Sequence, residues 1–174
     1  WANNIKEALK KNNLLDRPIH IISANLHSVM NTLHTPKALK TEVSKKDIFQ
    51  VYEALSQNNS EVLRNKVRQQ ASKYGMTYIK DTSGTNIDVQ IFDTAKINLD
   101  FLDLKINKDN SNPEKPVIFV MDYAFGEQAF ETIDEFLKPY ENGSTKKHMN
   151  IESISIMGKA GILEGGKGDI MIPS

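Results

Sequence analysis

The run Val117-Ile118-Phe119-Val120-Met121 constrains the fold more than any other stretch of the chain. Five successive apolar residues do not alternate as a half-exposed strand would. They suit a strand covered on both faces, as in a parallel sheet with helices above and below. The residues after it agree with that placement. Residues Gly126–Leu137 place Ala129, Phe130, Ile133, Phe136 and Leu137 on one helical face, Glu127 and Glu131 supply negative charge to the first turns, and Pro139 stops the helix. Residues 151–157 then alternate as a second strand, 158–168 form a glycine-rich loop and 169–172 make a third strand. A strand–helix–strand unit of this kind predicts parallel strands with a right-handed crossover.

The amino-terminal part of the chain reads compatibly. Residues 3–12 suit a short polar helix and 18–23 a buried strand. A helix over 24–34 carries Leu26, Val29, Met30 and Leu33 and ends at Pro36. Ser44 and Asp47 form a shortened capping box ahead of a helix with Ile48, Val51, Tyr52 and Leu55. Ser60 caps a further helix with Leu63, Val67, Ala71 and Tyr74, and Gly75 stops it. Residues 76–79 and 87–92 flank the turn-rich DTSGTN as a hairpin or neighbouring strands, and the polar residues 107–116 predict a long surface loop. The expected class is α/β, a three-layer sandwich with a mostly parallel or mixed central sheet flanked by helices. One domain over 1–174 is the default for this length. The opening on Trp1 without methionine and the stop directly after a strand-like segment predict an N-terminal fragment of a larger protein.

Composition narrows the function. There is no cysteine, which excludes disulfides, zinc–thiolate and iron–sulfur sites and a cysteine nucleophile. Twenty-two basic residues balance 22 acidic ones, so no global field steers the chain to nucleic acid or anionic membrane. Arg64, Lys66, Arg68 and Lys73 lie on mixed helix faces without interleaved aromatics and read as a solvated face. No signal layout and no run of about 20 apolar residues is present, so a cytoplasmic protein is expected.

The glycine loop is the foremost candidate site. Its G-x-x-x-x-G-K string, Gly161 to Lys167, imitates a phosphate-binding P-loop, but Gly168 stands where Ser or Thr would hold magnesium, and a strand comes next instead of a helix. ATP binding by that route is rejected. There remains a cluster of glycines at the carboxyl end of a strand, where a ligand can approach the backbone and meet free N–H groups, or else a tight structural turn.

The segments VIFVMDYAFGEQAFETIDEFL and IESISIMGKAGILEGGKGDIMIPS together resemble the middle of the purine nucleoside phosphorylase and nucleosidase superfamily, with Gly126, Gly158, Gly161, Leu163, Gly168 and Asp169 at matching positions. The resemblance covers about a third of the chain and implies a phosphorylase-like domain, truncated here. It further implies a nucleoside or nucleotide bound at Gly158, Lys159, Ala160 and Gly161, with Tyr123 and Gly126 nearby. In phosphorylases of the family a hydroxyl residue in this turn, and an arginine two residues before its first glycine, hold phosphate. Lys159 and Ile156 occupy those places here. Hydrolysis of an N-glycosidic bond, with Lys159 meeting a substrate phosphate, fits these departures better than phosphorolysis. The family's ribose-binding glutamate and base-protonating aspartate lie beyond Ser174.

Asp122 ends the Val117–Met121 strand at the edge where open α/β sheets bind ligands, and is the candidate ribose contact or acid; a capping or turn role competes. Asn25 and His27 come directly after the first strand and can reach the same edge. Glu127 and Glu131 read better as an exposed helix face than as a metal pair, and His27, Asn31 and His34 as a surface helix with two solvated histidines. No metal or cofactor is expected. A homo-oligomer is compatible with the sequence. A non-catalytic binding, regulatory or structural protein of the same fold is the alternative to an enzyme.

Overall fold

The structure is a computed structural model that describes residues 1–97 and 115–158. In chain order the helices are α1 (Ala2–Lys11), α2 (Leu26–Ala38), α3 (Lys40–Val43), α4 (Ile48–Ser56), α5 (Glu61–Lys73) and α6 (Gly126–Leu137). The strands are β1 (Ile19–Ser23), β2 (Met76–Ile79), β3 (Val89–Asp93), β4 (Val117–Met121), β5 (Tyr140–Asn142), β6 (Thr145–Lys147) and β7 (Ile151–Ile156).

The apolar run is β4, the middle strand of a five-stranded sheet ordered β2-β3-β4-β1-β7. Central placement is what an unbroken apolar strand requires, because both of its faces must be covered. β1 pairs parallel with β4 and with β7, whereas β3 runs antiparallel to β2 and β4, so the sheet is mixed. The hairpin reading of β2 and β3 holds, with Met76 opposite Phe92 and Ile79 opposite Val89. β4 and β7 point the same way, as expected, but are not neighbours: β1 lies between them.

Alternate strand residues feed two separate cores. Ile19, Ile21, Val89, Ile91, Val117, Phe119 and Met121 pack with Ile5 and Leu9 of α1 and Phe136 of α6. Phe92, Val120 and Met76 pack with Leu26 and Met30 of α2, Val51 and Leu55 of α4, and Val67 and Ala71 of α5. The result is a three-layer α/β sandwich. On the α1/α6 side Phe119 and Phe136 stack at 4.5 Å and Trp1 meets both edge-on. Lys6 is buried there, and its ammonium donates to the carbonyls of Glu135 (2.9 Å) and Lys138 (2.7 Å), closing the end of α6. At the amino end of β4, Arg17 binds Asp93 (2.6 Å) and donates to the carbonyls of Lys115 and Pro116, tying β1, β3 and β4 together.

Several local expectations are corrected. Pro36 does not end α2, which continues to Ala38; Met30, His34, Thr35 and Leu39 are buried on that stretch, and packing outweighs the one lost backbone bond. Asp47, not Ser44, caps α4 by accepting from Phe49 N (2.8 Å). Ser60 occupies the capping position of α5, but its hydroxyl donates to the Ala54 carbonyl instead. Arg64 is no solvated cation: it donates to the carbonyls of Leu55, Gln57 and Asn58 and so ties down the α4–α5 turn. Phe130 and Leu137 are exposed, because α6 needs only the Ile133, Thr132 and Phe136 side against its core. The polar stretch after α6 holds the β5–β6 hairpin. His34 is buried against Phe92, not solvated. Residues 107–114 and 159–174 lie outside the described residues.

Candidate functional site

Three backbone hydrogen bonds draw the carboxyl edge of the sheet together: Asp122 N to Asp88 O (3.0 Å), Ala24 N to Met121 O (3.1 Å) and Met157 N to Ser23 O (2.8 Å). Asp88, Asp122, Asn25 and the end of β7 therefore share one rim. After β1 the chain leaves to α2 on one face, and after β4 to α6 on the other. The crevice between these diverging connections is where open α/β sheets receive ligands.

Two adjoining cavities open there, of about 580 Å³ and about 620 Å³, and both are lined by Asn25, His27, Met30 and Arg68. The first lies on the α2/α5 face of the sheet and adds Tyr78, Asp88, Gln90 and Asp122, with Leu26 and Met76 as apolar wall. The second reaches Tyr52, Ser56 and Tyr123. Cross-strand register builds the floor: Tyr78 pairs with Gln90, and Gln90 with Val120.

Each polar group has a definable state. Asn25 caps α2, accepting from His27 N (2.8 Å) through Oδ1. Arg68 donates to Asn65 Oδ1 (2.9 Å), its one polar partner among the described residues, and the rest of its planar fork is available to the cleft. The Tyr78 hydroxyl donates to Asp88, whose other oxygen accepts from Asp81 N (2.8 Å). Burial first, then the hydrogen bond and negative charge of Asp88 and the charge of Asp122, push the Tyr78 phenol up to about 12, so it stays a donor. Asp81 organises the adjoining turn by accepting from Ser83, Gly84 and Asn86; the Ser83 hydroxyl leads in holding its carboxyl far below the usual range.

The residues expected from sequence divide. Asn25, His27, Asp122 and Tyr123 come to the cleft. Asp122 does not cap α6, whose first flanking residue is Phe125 without a side-chain cap; Asp122 Oδ1 accepts from Tyr123 N (2.9 Å). Gly126 opens α6 at φ +55° and lines neither cavity. Gly158 comes after β7 on the same rim, with open space where a Cβ would stand. Lys159, Ala160 and Gly161 lie outside the described residues. Glu127 and Glu131 are exposed. Among the described residues no group of three or more His, Asp or Glu side chains could hold a metal ion, and no helix is long and apolar enough to cross a membrane.

Sequence reasoning missed Arg68, Tyr78, Asp88 and Gln90. Gln90 left one signal, a polar residue inside the otherwise apolar Val89-Gln90-Ile91-Phe92 run. Arg68 left none, since a helix pattern does not say which cation overhangs a sheet edge.

The model of the Family of unknown function (DUF6909) matches residues 48–174, and the chain belongs to that family. The matched stretch contains Arg68, Tyr78, Asp88, Gln90 and Asp122 and leaves Asn25 and His27 outside it. No curated protein and no solved structure matches the chain.

Proposed function

We propose that this family member binds a nucleoside or nucleotide in the cleft at the carboxyl edge of β1 and β4. The observation that carries the reading is the juxtaposition of Arg68, Asn25 and Asp122 around one crevice at the point where the chain's connections diverge. Each supplies a distinct recognition chemistry. Arg68 offers a bidentate fork to a phosphate. Asp122 has an oxygen without a partner among the described residues and can accept from ribose hydroxyls. Leu26, Met30 and Met76 offer apolar surface to a base. The cation comes from α5; Ile156, where the phosphorylase pattern has arginine, is exposed at the end of β7.

Calorimetry and thermal shift with adenine, adenosine, inosine, AMP and phosphate test the reading, since a ligand of the folded state must raise the melting temperature. AMP is expected to bind, and Arg68→Ala to weaken AMP by about tenfold or more while costing adenosine little. No shift with any of these compounds at millimolar concentration would remove the reading.

Asp122 favours a second reading, hydrolysis of the bound nucleoside. Asp88 is committed at both oxygens, to Tyr78 and Asp81, so Asp122 is the carboxylate free to move a proton. Water would add to the ribosyl carbon as the bond to the base nitrogen breaks, and the base would leave with a proton. Release of free base by the wild type but not by Asp122→Asn is expected; no release by either leaves a binding protein.

A further inference from the structure

Resting on the nucleotide reading, we infer that the cleft takes a dinucleotide, one nucleoside in each of its two cavities with the linking phosphate at Arg68 between them. A single nucleotide leaves the second cavity unused. Each cavity, at about 580 Å³ and about 620 Å³, falls within the range of about 300–1,000 Å³ that holds one small molecule. Asn25, His27, Met30 and Arg68 line both, so they form the wall where the two meet.

Charge decides what belongs on either side of that wall. Beyond it the first cavity holds Asp88 and Asp122, which repel a phosphate. The second holds Arg64 and Glu61, but the Arg64 guanidinium is spent on the carbonyls of Leu55, Gln57 and Asn58 and on the Glu61 carboxylate. Arg68, with one polar partner among the described residues, is the guanidinium left to a phosphate, and it stands at the boundary. Neutral groups of the ligand therefore extend from it in both directions.

The second cavity offers what a base needs. The Tyr123 ring lines it, and Phe125 stacks on that ring at 6.1 Å with 28° between the planes. The rings are 39% and 76% exposed, so the stack contributes little to the core and presents an aromatic surface on which a base can lie. Tyr52 adds a half-buried ring, and burial pushes its phenol up, so it remains a neutral donor. Ser28 and Asn31 supply polar groups suited to sugar hydroxyls.

The probes are AMP, ADP and two dinucleotides, adenylyl-adenosine with one bridging phosphate and diadenosine diphosphate with two. In calorimetry on the wild type, at least one dinucleotide is expected to bind about tenfold or more tighter than AMP, the gain from stacking a second base, and ADP to gain far less. Tyr123→Ala should abolish the dinucleotide's advantage while costing AMP little and leaving the ligand-free melting temperature unchanged. Equal wild-type affinities for AMP and both dinucleotides overturn the inference and leave mononucleotide binding standing. So does an ADP gain that matches the dinucleotides, since it gives the second cavity to phosphate. An advantage that survives Tyr123→Ala, or an equal loss of AMP and dinucleotide in that variant, overturns it as well. If no probe binds, the nucleotide reading falls with it.

Discussion

Acid should destabilise this protein in part through His34. The imidazole is 2% exposed, stacks on Phe92 with ring centres 5.9 Å apart, and its Nε2 has no partner among the described residues. Burial first, and the charge of Lys37 second, lower its pKa from 6.5 to about 4. A base whose pKa is lower folded than unfolded resists the proton only while folded. The stability that depends on neutral His34 is therefore fully present above about pH 6.5 and is lost as the pH falls towards 4. For one group shifted from 6.5 to about 4 the loss is about 2 kcal/mol between pH 7 and pH 5, and about 3 kcal/mol by pH 4. His34→Leu has similar volume, removes the orphaned nitrogen and cannot be protonated. Urea unfolding of both proteins from pH 7.5 to 4.5, monitored by circular dichroism, isolates the effect, because the carboxylates titrate in both and cancel in the difference. The two should lie within about 1 kcal/mol at pH 7.5 and diverge by about 2 kcal/mol in favour of the variant at pH 5. Stability curves that stay parallel over that range would refute the account of His34 as a buried neutral base.

Backbone and capping geometry set other outcomes. Gly75 has φ +101°, and a Cβ there would stand 2.7 Å from the Asp93 carbonyl oxygen, so Gly75→Ala should cost more than about 2 kcal/mol in chemical denaturation. Gly84 has φ +92° with open space around it, and Gly84→Ala should cost only about 1 kcal/mol of backbone strain; equal losses at the two sites would show that crowding at Gly75 is unimportant. Lys6→Met removes both bonds to the α6 carbonyls, and a loss of about 2–3 kcal/mol is expected, with faster amide exchange in the last turn of α6. Unchanged exchange there would mean that the ammonium does not hold that helix end.

The strong periodicities were legible without coordinates. Five apolar residues in a row suit a strand covered on both faces, and β4 is the central strand; Gly126–Leu137 is helical because its apolar side repeats at helical spacing. Local statistics failed where packing overruled them: Pro36 stays within α2 because its neighbours are buried, and His34 is interior because α2 turns it onto Phe92. The same division applies to the candidate site. Asn25, His27 and Asp122 could be named from sequence, since each comes just after a strand that the pattern reveals. Arg68 and Gln90 could not, because their meeting depends on α5 lying over the sheet and on β3 pairing beside β4, contacts between residues far apart in the chain. Sequence by itself determined the α/β class and most of the longer strands and helices, through short-range periodicity and burial, but not α3 or the β5–β6 hairpin. Only the tertiary structure decided which strands are neighbours, and with that which cation, carboxylate and amide share one cleft.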